Sequence, residues 1–234
     1  MILHPASLSD TLDSAEEALF DQHPISQALR NDLAVILISR QIQSGTNAGV
    51  FIPFVSESRH QSRLFTGEML RTEFACRNIQ LIQSARLFAL LAMDSPDIAR
   101  SIMLSDRCMN TQCYSKFCIK GECKSLTIAY MRYLAAINTG DPVVLLDQFL
   151  TRLADYRDGK GRWHGFPFYY TLLMLSEIDR PLAADELNYT APLIERLAEQ
   201  VWSKDRYTNR CQSILHKIKT RNEHDAYALL LGQY

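Results

Sequence analysis

Four cysteines at a constant interval of five residues lie in the middle of the chain, within the stretch DRCMNTQCYSKFCIKGECKS at 106–125. An α-helix turns about 100° per residue, so a step of five residues turns about 140° and would spread the sulfurs around a helix. Polar residues and a glycine also interrupt any apolar period here. If the sulfurs converge, the backbone that carries them must therefore be irregular. The four cysteines are Cys108, Cys113, Cys118 and Cys123.

Converging thiolates on an irregular segment suit a soft metal ion, and zinc is the first expectation for a four-cysteine site. Four ligands would close such a site to substrate, which predicts a structural role and unfolding when the metal is removed. An iron–sulfur cluster uses the same ligands. Because gaps of four residues match neither C-x-x-C zinc knuckles nor ferredoxin spacings, disulfides and reduced, packed thiols stay open as alternatives. Lysines at 116, 120 and 124 would offset thiolate charge and lower the thiol pKa values.

Composition places the whole chain in the helical, globular class. The 234 residues are 47% hydrophobic and 22% charged, which is enough for a sizeable core in one domain spanning 1–234. Glycine and proline number only 9 and 8, which disfavours a turn-rich β fold. The net charge of −1 gives no overall basic field, so we do not expect a nucleic-acid partner. A protein or small-molecule ligand stays open.

The start of the chain and its hydropathy predict a cytoplasmic protein with no membrane segment. Residues 1–20 lack the basic and apolar regions of a secretory signal. No apolar run approaches the length of about 18 residues that would suggest a membrane span. Because cytoplasmic thiols are normally reduced, this location also lowers the expectation of disulfides.

Apolar spacing predicts an all-α fold of about nine to eleven helices packed as antiparallel pairs, with the cysteine-rich segment 106–125 inserted between helix pairs. Proline suits the first turn of a helix, so the Ser-Pro step at 95–96 and the Asp-Pro step at 141–142 predict helix starts. The predicted helices span 9–22, 25–43, 67–93, 96–105, 124–138, 142–157, 169–178, 190–202 and 206–221, with a short terminal helix at 225–234.

Two segments offset by 40 residues are similar: GECKSLTIAYMRYL at 121–134 and GRWHGFPFYYTLLM at 161–174. In each, a glycine precedes an apolar, aromatic-rich helix and a second helix follows, which is typical of stacked helical pairs. The glycine–tryptophan turn within 158–179 resembles the repeat of α/α-toroid proteins, such as terpenoid cyclases and protein prenyltransferases. This resemblance implies an α/α-repeat or toroid-like arrangement. It implies no activity, since the cyclase aspartate-rich motif and the prenyltransferase zinc ligand set are missing.

The turn DGKGRWHGFPF at 158–168 and the residues after it carry the best candidates for catalysis outside the cysteine segment. His164 could act as a general acid or base, because histidine titrates near neutral pH. Trp163, Tyr169 and Tyr170 could stack on a flat or apolar ligand. The simpler interpretation is an ordinary turn, with Trp163 covering the helix below it and His164 in solvent.

Three functions follow from these features. The first is a helical binding or scaffold protein in which a cysteine-ligated zinc ion links helix pairs. The second is an α/α-fold enzyme that acts on an apolar small molecule, in an enclosed pocket lined by aromatic residues near Trp163 and His164. The third is an iron–sulfur or thiol redox protein that uses the four cysteines directly.

Overall fold

The computed structural model describes residues 1–57, 62–91, 95–138, 140–200 and 204–231, with side chains as far as 221. Within these ranges the chain is all-α, as predicted, with nine α-helices, one 3-10 helix and one two-stranded antiparallel ribbon. The elements are α1 (Leu8–Phe20), α2 (Gln27–Arg40), β1 (Ser62–Arg63), β2 (Met69–Leu70), α3 (Glu73–Leu91), α4 (Pro96–Asn110), the 3-10 helix (Cys113–Lys116), α5 (Cys123–Ile137), α6 (Asp141–Ala154), α7 (Phe168–Ser176), α8 (Pro181–Ala198) and α9 (Arg206–Leu231).

Helices α3 and α5 form the centre of the core. Nearly all of α3 is buried between Ala75 and Leu91, and α5 is buried continuously from Leu126 to Leu134. A helix that is buried on every face must lie inside the domain, with other elements around it. Here α1 and α4 pack against α3, while α6 and α7 pack against α5. Helices α8 and α9 pack against each other and against α7 on the outside of this arrangement.

A network of charged side chains crosses the core where α1, α3, α5 and the end of α7 meet. Arg132 donates hydrogen bonds to Glu16 at 2.9 Å, to Glu177 at 2.7 Å and to the Tyr170 hydroxyl at 3.2 Å. Arg86 bonds the same two carboxylates, at 2.6 Å and 3.0 Å. Burial alone would raise the pKa of Glu16, but the two arginines outweigh it and lower that pKa. The network therefore joins four elements with balanced charge.

Several helix boundaries differ from the sequence predictions, and the segments predicted as separate helices at 206–221 and 225–234 belong to one helix, α9, as far as Leu231. Helix α4 continues to Asn110 instead of ending near 105, so the first cysteine lies on a helix. Helix α8 begins at Pro181, a first-turn proline, and tolerates Pro192 in its interior, whereas the prediction started this helix at 190. The predicted helix 67–93 is replaced at its start by β2, which pairs with β1 before α3 begins at Glu73.

The two similar segments occupy different positions relative to their helices. Helix α5 begins two residues after Gly121, whereas α7 begins seven residues after Gly161. The helices also differ in length, with 15 residues in α5 and nine in α7. The α/α-repeat or toroid-like arrangement stays a prediction.

None of the helices within the described ranges is both long and apolar enough to cross a lipid bilayer.

Candidate metal centre

Three of the four candidate cysteines lie together at the start of α5. Cys113 is the first residue of the 3-10 helix, Cys123 is the first residue of α5, and Cys118 lies in the turn between them. Their Sγ atoms all lie within 4.8 Å of one another, and those of Cys113 and Cys123 are 3.5 Å apart. Four sulfurs around zinc, with bonds of about 2.3 Å, stand about 3.8 Å apart. The three thiols are therefore spaced as ligands of one ion.

Cys108 is the one predicted ligand that the structure does not bring into this group. Because α4 continues to Asn110, Cys108 lies on a helix and packs against a neighbouring turn. Its Cβ lies 3.2 Å from the position that a Cβ on Gly49 would take. Burial raises the pKa of the Cys108 thiol, and the positive charge of Arg77 opposes that effect. The group found in the structure thus has three cysteines, and the predicted closed four-cysteine site is not formed.

Phe117 fixes the path of the segment between the first two cysteines of the group. Its backbone is left-handed, with φ of 59°, which reverses the chain after the 3-10 helix. Its buried ring packs edge-on against Phe149, with 5.2 Å between centroids, and contacts Tyr156 and Phe166 at 6.0 Å. The Arg152 guanidinium lies 4.5 Å from the centre of the same ring. This one side chain therefore anchors the cysteine segment in the core.

Hydrogen bonds from outside the segment fix the rest of its backbone. The Thr127 hydroxyl donates to the carbonyl of Cys118 at 2.8 Å. The buried Tyr114 hydroxyl donates to Asn78 on α3 at 3.0 Å. The Glu122 carboxylate accepts from the backbone N–H groups at 71 and 72, at 2.6 Å and 2.9 Å. The three thiols are thus brought together by contacts that do not involve a metal.

Cys118 and Cys123 differ in their tendency to ionise. Burial acts to raise the pKa of Cys118, but hydrogen bonds from the Lys120 N–H and from the thiols of Cys113 and Cys123 outweigh it and lower that pKa. Burial raises the pKa of Cys123 to about 12, and the thiol and charge of Cys113 act in the same direction. Cys118 therefore ionises more readily than Cys123, and a nearby cation would favour ionisation of Cys123 as well.

The part of the chain that the structure describes supplies no fourth ligand, since no histidine or carboxylate joins the three sulfurs within 4.8 Å. Glu122 precedes Cys123, but its carboxylate is engaged by the backbone at 71 and 72. The group lies at the surface, with Cys113 exposed and the other two cysteines partly exposed. A Cβ built on Gly121 would meet no atom within 4 Å, so the turn that carries the group faces open space.

The second candidate site, the turn at 158–168, is packed as a structural element. Trp163 is buried, and its Nε1 donates to Glu186 on α8 at 2.7 Å. Arg157 forms an ion pair with the same carboxylate at 2.8 Å. His164 is exposed, in agreement with the simpler interpretation of this turn. The Trp163 ring thus packs between the turn and α8.

The two tyrosines that follow this turn have different roles in the structure. Tyr170 is buried and accepts a hydrogen bond from Arg132 within the charged network. Tyr169 is partly buried, its ring lies 5.1 Å from that of Phe168, and burial raises its pKa to about 12. The four aromatic and histidine candidates therefore do not converge on one site as the three thiols do.

The turn and the cysteine segment are nevertheless neighbours. Lys124, which follows the last cysteine of the group, donates through Nζ to the carbonyl of His164 at 3.3 Å. Phe166 of the turn contacts the ring of Phe117. The turn and the cysteine segment, which are separate in the sequence, thus form one continuous region of the molecule.

Comparison with known proteins yields no relative, since no family model, no curated protein and no solved structure matches this chain. The resemblance to α/α-toroid proteins therefore stays a prediction. The interpretation of the site rests on its own geometry.

Proposed function

We propose that this chain is a helical binding protein that holds one soft divalent metal ion, zinc in the first instance, between Cys113, Cys118 and Cys123. The observation that carries the proposal is the grouping of the three sulfurs within 4.8 Å of one another. Thiolate sulfur is a preferred ligand of zinc. Because packing already fixes the segment, little ordering has to accompany binding, which favours affinity.

The role of the metal in this proposal is local. An ion bound to the three thiolates would join the 3-10 helix to the first turn of α5. The same region is already held by Phe117, Tyr114 and Thr127 through contacts with the core. We therefore expect the metal to fasten a surface segment, without being required for the core to fold. This differs from the closed structural site that four cysteines would have implied.

The proposal also bears on compartment. Thiolate ligands must stay reduced in order to bind a metal, and the six cysteines, all within the described ranges, are free thiols. We therefore assign the chain to a reducing compartment, the cytoplasm.

A second use of the same thiols is a reversible disulfide between Cys113 and Cys123, which the 3.5 Å separation of their sulfurs favours. Both thiols would lose their protons, and two electrons would pass to an oxidant such as a peroxide or a low-molecular-weight disulfide. An iron–sulfur cluster has less support, because such clusters normally take four cysteine ligands and only three are gathered here. The aromatic-pocket enzyme has less support, because within the described residues no second group of three or more histidine, cysteine or acidic side chains lies near Trp163 and His164.

The proposal is tested by elemental analysis and zinc competition on protein purified under reducing conditions. We expect one zinc per chain in the natural sequence and in Cys108→Ser, since Cys108 lies outside the group. Replacing a residue that only supports a metal ligand typically weakens binding by about 10–100-fold. We expect a larger loss of zinc affinity when a ligand itself is replaced, in Cys113→Ser, Cys118→Ser or Cys123→Ser. Equal affinity in all four variants would contradict the proposal, and visible absorption in the natural protein would favour a cluster.

A further inference from the structure

We infer that the fourth coordination position of this metal is filled from outside the chain by a thiolate, so that the site exchanges thiol ligands at the protein surface. The inference rests on the three-cysteine site proposed above. It concerns a different property, namely what the site binds once the metal is in place. It would make the protein a receptor for thiols, supplied by a small molecule or by a cysteine of another chain.

The first argument is that the chain leaves this position open. Zinc in proteins is almost always four-coordinate, and sites with three protein ligands hold their fourth ligand from solution. Among the described residues, no histidine or carboxylate oxygen joins the three sulfurs. Cys113 is exposed, and the space beside Gly121 is empty of protein atoms within 4 Å. An external ligand can therefore reach the ion.

The second argument is that the remaining cysteine of this region is held away. Cys108 belongs to the last turn of α4, where its carbonyl accepts a hydrogen bond from the Thr111 hydroxyl at 2.8 Å. The side chain packs toward Gly49, where an added Cβ would also clash with the carbonyl oxygen of Leu104. Because Cys108 belongs to this helical turn, a shift of its backbone toward the three thiols would break hydrogen bonds of the turn. In the structure, Cys108 thus stays outside the group of three sulfurs.

The third argument concerns the chemistry of the incoming ligand. Three thiolates around a divalent ion leave one net negative charge, and Lys116, Lys120 and Lys124 lie in the same segment to offset further charge. Lys116 and Lys120 are exposed and available to an incoming anion. A thiolate is softer than water or a carboxylate, so an ion already held by three sulfurs is well matched to a fourth.

The exchange step balances without any redox change. An incoming thiol would displace a water ligand of the ion, so that one metal–oxygen bond would break and one metal–sulfur bond would form. Water leaves and the thiol proton passes to solvent, so one proton is released for each thiol bound. No electron is transferred, and the three cysteine ligands stay in place.

The experiment uses the full chain loaded with cobalt(II) in the absence of oxygen. Cobalt absorbs in the visible range when tetrahedral, and its sulfur-to-metal charge-transfer band grows with the number of thiolates. We expect a three-thiolate spectrum in the absence of added thiol. Titration with glutathione should raise the charge-transfer absorbance by about one third, as a fourth thiolate joins three, and release one proton per chain. Cys108→Ala should behave identically.

The outcomes separate this inference from the proposed function. Failure of cobalt and zinc to bind would overturn both. If the metal-loaded natural protein shows a four-thiolate spectrum before any thiol is added, and Cys108→Ala loses that spectrum, only the inference would be overturned. So would a cobalt spectrum that millimolar glutathione does not change. A fourth thiolate that appears with rising protein concentration, together with dimers in Cys108→Ala, would support the inference with a cysteine of a second copy as the source.

Charge provides an independent control. Replacing two exposed lysines in Lys116→Glu/Lys120→Glu should weaken the binding of anionic glutathione by about three- to tenfold at low salt, because two nearby charges are reversed. Binding of mercaptoethanol, which carries no charge apart from its thiolate, should weaken less in the same variant. Equal losses for both thiols would indicate damage to the site itself and would count against the lysines as the recognition element.

Discussion

Arg132 carries a charge into the centre of the core, where only 2% of its side chain is exposed. Replacing it by methionine would leave Glu16 and Glu177 with one arginine between them. Breaking a buried pair in this way costs about 3–5 kcal/mol, because the charge left behind is not compensated. We therefore expect Arg132→Met to lower the free energy of unfolding by this amount in urea denaturation. Arg180→Met, at the more exposed pair with Asp147, should change little; equal losses would contradict the argument.

The same network predicts how stability depends on pH. The folded pKa of Glu16 lies below its ordinary value of 4.5, although burial acts in the opposite direction, because two arginines face it. A depressed carboxyl pKa contributes stability that is present above about pH 4.5 and is lost as the pH falls through the folded value. Glu16→Gln should therefore flatten the decline in unfolding free energy below that pH. Glu195→Gln, an exposed carboxyl on α8, should retain the natural slope.

Single residues were the hardest part of this molecule to predict. The charged network was not predicted, although the sequence contains an indication of buried charge. Arg132 is the one charged residue of the apolar run IAYMRYL, and Arg86 is the one charged residue of SARLFAL. An isolated arginine in such a run requires a carboxylate partner. The identity of that partner depends on how α1 and the end of α7 approach, which no local pattern encodes.

At the level of elements, the cysteine segment depends on Phe117. Phe117→Ala should remove about 3–5 kcal/mol from the free energy of unfolding, the usual cost of deleting a buried phenylalanine. It should also weaken zinc binding by about 10–100-fold, since the ligands lose the contact that positions them. Ile119→Ala provides the control in the same turn, because that side chain is 37% exposed and should affect neither measurement. Zinc affinity that survives Phe117→Ala would show that the metal organises the segment alone.

Element prediction succeeded where the signals were local and failed where they were not. The proline steps at 95–96 and 141–142 begin α4 and α6 as expected. The prediction ends α4 too early because the polar and cysteine-rich residues after 105 suggest an irregular segment, whereas they continue an amphipathic helix with Met109 on its buried face. That error placed Cys108 in the loop. The convergence of the other three cysteines could be predicted only as far as the need for an irregular backbone.

At the scale of the whole molecule, the all-α class and the helix number followed from composition and apolar period, which the structure confirms within its described ranges. These properties depend on the sum of many residues and survive errors at single ones. The arrangement of the helices around α3 and α5 could not be predicted from composition or apolar period, because it depends on which helix faces pack against each other. The α/α-repeat expectation used spacing alone, and the unequal starts and lengths of α5 and α7 give it no further support.

The final prediction concerns the dependence of the whole fold on metal. The core surrounds α3 and α5, whereas the three thiols lie at its edge on a segment fixed by Phe117 and Tyr114. We therefore expect the metal-free chain, after chelation under reducing conditions, to keep its far-ultraviolet circular dichroism and a cooperative thermal transition. Free zinc at about 100 times its dissociation constant should add about 2.7 kcal/mol, and less if the unfolded chain also binds it. Loss of helix on chelation would instead show that the metal supports the core, as zinc does in domains that are unfolded without it.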